Sequence, residues 1–198
     1  MKNLKQRNNS AILDIGKTHI KIILFDTINF KELVTFQTKN RILNISPYPH
    51  FDLEFMKSFI ISSIKKISKE FSIDTIFTST HGACLALLGK DKLIFPVLDY
   101  EHDGPDEVRP EYDKMRLPFR LTGTPKMPAG LNLGAQIYWI NNRFPGKFEK
   151  VDTILFWPQY WSYWLCGVVA SEISYASSHS DLWNINENNF IDLKNYEI

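Results

Sequence analysis

Residues 11 to 26 read AILDIGKTHIKIILFD. Two β-rich runs, Ala11 to Ile15 and Ile20 to Asp26, flank a Gly16-Lys17-Thr18 turn, and a third run, Leu33 to Thr38, follows a bend at Thr27-Ile28-Asn29. Connections this short return a strand beside its predecessor in the opposite sense, because a parallel return needs a crossover of a dozen or more residues. The chain therefore opens as an antiparallel meander.

Between Asp52 and Phe71 the apolar residues Phe55, Met56, Phe59, Ile60, Ile64, Ile67 and Phe71 recur at helical spacing. Asp52 is placed to cap the helix, and Lys65, Lys66 and Lys69 fall late, where cations complement its dipole. Ile73 to Ser79 reads as a strand, and Ala83 to Leu88 and Leu93 to Leu98 read as two more around the turn Gly89 to Lys92. Asp99 to Gly130 is rich in charge, Pro and Gly and reads mainly as loop, with a short helix over Asp106 to Met115 after Pro105. Beyond it come a helix from Leu133 to Phe144 stopped by Pro145-Gly146, a strand from Thr153 to Phe156, and an aromatic helix from Gln159 to Cys166 that Gly167 ends. Trp161, Trp164 and Leu165 lie near one face of that helix and are expected to pack inward. The fold class is α/β.

At 198 residues the chain is the size of one large domain, and its 44% hydrophobic content is enough to build a core, which excludes disorder. Lys and Arg number 23 against 22 Asp and Glu, so no global field draws the chain to nucleic acid or an anionic membrane. Cys84 and Cys166 are too few and too far apart for a disulfide framework, and are expected as buried reduced thiols in a cytoplasmic protein. Residues 1–10 form a polar tail; the apolar run after it is broken by Asp14, Gly16 and Lys17, unlike a signal-peptide core, and no stretch reaches the length of a membrane span.

Three places carry chemistry. In the first, Asp14-Ile15-Gly16-Lys17-Thr18, a glycine lets backbone approach a phosphate, Thr18 and backbone N–H groups can donate to its oxygens, and Asp14 can hold Mg²⁺ directly or through water. The Walker A spacing is absent, and a charged hairpin rim is the alternative. The second combines Thr80-His81-Gly82 at a strand end with Asp99-Tyr100-Glu101-His102-Asp103 after the next hairpin, a density of donors and acceptors that suits a polyhydroxy ligand. A solvated loop, or a metal site drawing on His81, His102 and His179, are the competing readings. The third is the aromatic group Trp157, Tyr160, Trp161, Tyr163 and Trp164 with Ser177 to Asp181 behind it, either a stacking surface for sugar rings or core.

In this order the segments resemble the N-terminal half of the FGGY family of carbohydrate kinases, a branch of the actin-like ATPase superfold, from residue 11 to about residue 190. Ala11 to Asp26 is similar to the family's first phosphate motif, with Lys21 where a basic residue often stands; Thr80-His81-Gly82 is similar to its sugar-contacting turn, and Pro96 to His102 to the segment that closes over the sugar. Leu121-Thr122-Gly123-Thr124-Pro125, Ile154 to Gly167 and Ala176 to Asn184 resemble its later signatures. Asp99-Tyr100-Glu101 replaces the usual Trp-Asn-Asp, Pro158-Gln159 replaces Lys-Asp, and Tyr175 replaces Asp, which implies a substrate other than glycerol or xylulose.

The resemblance implies a ribonuclease H-like, actin-like ATPase domain: a mixed sheet, opening with the meander and flanked by helices, over residues 11–198. It implies an ATP-dependent kinase that transfers the γ-phosphate to a hydroxyl of a ketose or polyol. Asp14, Gly16, Lys17 and Thr18 would stand on the phosphate and Mg²⁺ side, and Thr80, His81, Tyr100, Glu101 and His102 on the sugar side. The family's base aspartate, second phosphate motif and adenosine pocket correspond to positions past residue 198, so the chain is expected to be a shortened lobe, nearly inactive unless a separate C-terminal lobe completes the cleft, or associated with itself. A sugar-binding lobe without catalysis, or a non-functional gene fragment, is the alternative.

Overall fold

The computed structural model describes residues 8–193; part of the N-terminal tail expected over 1–10 and the last five residues of the lobe expected over 11–198 lie outside the described residues. The elements in chain order are β1 (Asn9–Ile15), β2 (His19–Asp26), β3 (Lys31–Lys39), β4 (Ile42–Leu43), β5 (His50–Phe51), α1 (Leu53–Ile67) and β6 (Thr75–Thr80). There follow β7 (Leu85–Gly89), β8 (Lys92–Leu93), α2 (Arg109–Met115), α3 (Phe119–Thr122), α4 (Leu133–Arg143) and α5 (Pro145–Phe148). Last come β9 (Thr153–Phe156), α6 (Trp157–Cys166), α7 (Ile173–His179), β10 (Trp183–Asn184) and β11 (Asn189–Phe190). Two compact units emerge, one of residues 8–42 and 52–81 and one of residues 43–51 and 82–193. No helix among the described residues is long and apolar enough to cross a membrane.

In the first unit the strands stand in the order β3-β2-β1-β6. β1 pairs antiparallel with β2 and β2 with β3, whereas β6 joins β1 in parallel, so the sheet is mixed. Alternation decides its two faces: Ala11, Leu13 and Ile15 of β1 and Ile20, Ile22 and Leu24 of β2 are fully buried, and the residues between them are not. α1 presents Leu53, Met56, Ile60, Ser63 and Ile67, spaced three and four apart, as its buried stripe. Full burial of a side chain such as Ile60 contributes about 1.5–3 kcal/mol. Asp52 caps the helix by accepting from the Phe55 amide at 3.0 Å, and Lys65 and Lys66 occupy its last turn.

The second unit carries a small sheet in the order β8-β7-β9, both pairings antiparallel, with every residue of β7 buried. Leu85, Leu87, Phe95, Ile137, Ile140 and Phe156 are among its core residues. Four local expectations change. The strand expected over Leu93 to Leu98 stops at Leu93, since Pro96 has no N–H to give a ladder; beyond it only Leu98 bridges to His50. The helix expected over Asp106 to Met115 divides into a 3₁₀ turn (Gly104–Val108) and α2, with Pro110 in the first turn of α2. On α6, Trp157 and, one turn on, Tyr160 and Trp161 form the buried face against β7 and β9, while Leu165 in the last turn is 37% exposed. Cys84 is buried but Cys166, the final residue of that turn, is exposed; both are free thiols.

Candidate functional site

In the first unit the parallel register of β1 on β6 sets Asp14 beside Ser79 and Ile15 beside Thr80, and the His81 amide donates to the Ile15 carbonyl at 3.2 Å. The turn of Gly16 to Thr18 and the turn of Thr80 to His81 thus leave the same end of the sheet, at the carboxyl ends of two parallel strands. Ligand-binding groups gather at such ends in open α/β sheets.

The first turn is tied from both sides. The Gly16 amide donates to the His19 carbonyl at 2.9 Å, and a Cβ on Gly16 would stand 2.9 Å from that same oxygen, so only glycine fits. Asn40, just past β3, donates through its amide to the Thr18 carbonyl at 2.8 Å and through Nδ2 to the Gly16 carbonyl at 2.9 Å. Asn40 escaped the sequence reading because one asparagine after a strand resembles any turn residue. Thr18 is exposed and Lys17 half-buried. Asp14, on the sheet face opposite Leu13 and Ile15, is half-exposed and meets Lys21, its cross-strand partner, at 3.7 Å. An accessible carboxylate beside a turn that opens on a glycine suits a hydrated cation and a phosphate; Lys21 already offsets part of its charge. The Thr80 hydroxyl donates to the His81 carbonyl at 2.9 Å.

In the second unit Asp99 is buried and turns the chain: its carboxylate accepts from the Glu101 amide at 3.2 Å and its carbonyl from the His102 amide at 2.9 Å. Glu101 is exposed and Tyr100 half-buried; burial first, then the charges of Glu101, Cys84 and Asp99, hold the Tyr100 phenol above its ordinary range. His102 is occupied by packing, its ring 5.4 Å from that of Trp139 and its Nδ1 3.6 Å from an Asp103 carboxylate oxygen.

Gln136, which sequence reasoning passed over, supports this region from below. Its side-chain amide nitrogen, Nε2, donates to the Ala83 carbonyl at 2.8 Å and to the Gly130 carbonyl, and the Gly130 backbone amide in turn donates to the Tyr100 carbonyl at 2.9 Å. The signal was present: Gln136 falls on the stripe Leu133, Ile137, Ile140, and a polar residue there must be satisfied in the core. The His179 imidazole lies against Gly82, where a Cβ would come within 2.7 Å of Nε2. The aromatic group is mainly core, with Trp157 and Trp161 fully buried. No cluster of three or more His, Cys, Asp or Glu among the described residues could hold a metal ion, so His81, His102 and His179 form no metal site with their neighbours.

No family model matches the sequence, and no curated protein matches it. Solved structures do. A carbohydrate kinase from Novosphingobium aromaticivorans is similar over 96% of this chain and 40% of its own, at 30% identity and a TM-score of 0.86. The ligand-bound xylulose kinase from Lactobacillus acidophilus is similar over 95% of this chain and 39% of its own, at 16% identity and a TM-score of 0.75. For the Plasmodium falciparum glycerol kinase with ADP the shares are 96% and 40%, at 15% identity and a TM-score of 0.74. The chain spans about two fifths of the length of the kinases it matches. The resemblance to FGGY-type carbohydrate kinases thus holds in three dimensions, and the chain has the actin-like ATPase fold of those enzymes over that share of their length.

Proposed function

We propose that this chain is the N-terminal, sugar-side lobe of an FGGY-type, ATP-dependent kinase that phosphorylates a hydroxyl of a small ketose or polyol. The observation that carries the reading is the shared sheet end of the Gly16 and Thr80 turns, on a chain similar to a carbohydrate kinase at a TM-score of 0.86. In this reading Asp14 stands on the Mg²⁺ side and Gly16, Lys17 and Thr18 face the phosphates. The half-exposed carboxylate and the obligatory glycine at position 16 support that assignment. Mg²⁺ would supply charge neutralisation on the transferring phosphoryl group. Thr80 and His81, with Tyr100, Glu101 and His102, would bind the sugar. Asp99 holds the Tyr100 to His102 turn in shape through its two hydrogen bonds, so that these side chains meet the hydroxyls without an ordering cost. The base and the adenosine pocket would come from the remaining span of the kinase.

Two assays test this. Calorimetric titration of the 198-residue chain with a panel of ketoses and polyols should give binding heat for at least one, and a silent panel refutes sugar recognition. The chain is then joined in frame to the part of the Novosphingobium aromaticivorans kinase that it does not span, and ADP release is followed. Asp14→Ala should lower kcat by about 10²-fold or more and leave sugar affinity nearly unchanged; lost sugar affinity with normal turnover at saturation refutes the role given to Asp14.

A further inference from the structure

Residues 82–84 open the longer segment of the second unit, and side chains of α4 and α7 hold them one by one. The His179 ring lies on Gly82. Gln136 donates to the Ala83 carbonyl at 2.8 Å. Tyr175, one turn before His179 on α7, holds Cys84: its hydroxyl donates to the Cys84 carbonyl at 3.3 Å and accepts from the Cys84 amide at 3.4 Å. Burial above all keeps that phenol above its ordinary range, so the O–H stays in place to donate. Ala83, in the middle, has a φ of +62°, the left-handed region in which a Cβ crowds the following carbonyl oxygen. Alanine has neither the freedom of glycine nor the polar side chain of asparagine to favour that conformation, which persists only where the surroundings over-determine it.

We propose that Tyr175 is a positioning residue for the Tyr100 to His102 turn and acts through the left-handed Ala83. The Gln136 nitrogen that binds Ala83 also donates to the Gly130 carbonyl, and the Gly130 amide donates to the Tyr100 carbonyl at 2.9 Å. A Cβ on Gly130 would stand 2.9 Å from the Tyr100 Cα, so these two backbones meet without slack. Cys84 adds a second link, its Sγ 3.6 Å from the Leu98 carbonyl oxygen. Without the phenol hydroxyl, Ala83 relaxes out of the left-handed region, its carbonyl turns, and Gln136 loses one of the two carbonyls that fix it. The Tyr100 to His102 turn carries sugar contacts in the kinase reading, and the consequence for sugar binding rests on that reading.

Tyr175→Phe removes the hydroxyl and keeps the ring against Phe156, 5.3 Å away. The Trp157 amide still donates to the Cys84 carbonyl at 3.1 Å, so that carbonyl stays satisfied. Hydrogen exchange is measured on the intact chain. In the variant the Gly130 and His102 amides should exchange about tenfold faster or more, while the Asp152 amide, bonded to the Leu88 carbonyl at the far end of β7, stays unchanged. Adding Ala83→Gly, which takes the left-handed conformation without strain, should return most of the protection. In calorimetry, a ketose or polyol that binds the unaltered chain should bind Tyr175→Phe about tenfold more weakly and the double variant nearly as well as the unaltered chain. Unchanged Gly130 and His102 amides, an equal rise at Asp152, or no recovery in the double variant overturns the proposal. If Tyr175→Phe alone does not fold, a folded double variant supports the proposal and an unfolded one overturns it. A panel silent on the unaltered chain refutes the sugar reading alone, and the exchange result still decides whether Tyr175 positions the turn.

Discussion

Asp181 is the sharpest place to perturb the second unit. It is fully buried, accepts from Arg116 Nη2 at 2.5 Å and from the Tyr112 hydroxyl at 3.2 Å, with Arg109 the other charge near it. Its φ of +61° is a left-handed conformation that Asn adopts as readily as Asp, so Asp181→Asn changes the charge and spares the backbone. Burial pushes the carboxyl from 3.8 up to about 6 and outweighs the favourable pull of Arg116 and Tyr112. A carboxyl raised on folding gives a stability contribution fully present below its unfolded pKa and lost as pH rises through the folded one. Two pKa units at 1.36 kcal/mol each amount to about 3 kcal/mol. Near pH 4 the variant and the unaltered chain should have similar unfolding free energies. By about pH 8 the variant should be the more stable by up to about 3 kcal/mol, because it never buries the negative charge. Urea unfolding followed by circular dichroism at both pH values reads the difference directly. The reasoning fails if the variant is instead the less stable by about 3–5 kcal/mol at pH 8, the cost expected when a net favourable buried pair loses one partner.

Three further substitutions separate scaffold from site. Ile60→Ala removes a fully buried side chain from the α1 stripe and should cost about 2–5 kcal/mol in urea unfolding, concentrated in the exchange rates of the first unit. Asn40→Ala frees the Gly16 carbonyl, keeps the backbone bond to the Thr18 carbonyl and touches neither candidate ligand group, and in the joined kinase it should raise the KM for ATP more than that for sugar. Gln136→Leu keeps the volume of the α4 stripe but strips the Ala83 and Gly130 carbonyls of their partner; a loss of about 1–3 kcal/mol per unsatisfied group is expected, with sugar affinity falling in the calorimeter.

The elements most legible in the sequence are those whose cause is local. Asp52, the spacing of Met56, Ile60 and Ile67, and the late lysines are a cap, a stripe and a dipole partner, and each acts within a turn or two of its own position. Where an element depends on a partner strand the reading runs out. Ile94 to Leu98 has strand composition, but Pro96 interrupts its donors, and the segment is held by core packing of Phe95 and Leu98 and by scattered bonds such as the Phe51 amide to the Val97 carbonyl, with a single β-bridge at His50. Leu165 has the right character for an inward face and misses it, because the face is set by what Trp157 and Trp161 already cover.

The candidate site divides along the same line. Asp14, Gly16 and Thr80 could be named from residue type, but nothing local says that the two turns share one end of a sheet. That follows from the crossover: β3 leads through α1 to β6, and the helix returns the chain parallel to β1 in a register that sets Thr80 against Ile15. A slip of one residue would move Ser79 beside Ile15 and turn every β6 side chain to the other face, which the burial of Ala11, Leu13 and Ile15 opposes from the β1 side. The pairing of the two turns is thus fixed by packing on the face away from Asp14, and a substitution there, such as Ile60→Ala, should loosen both turns together instead of either alone.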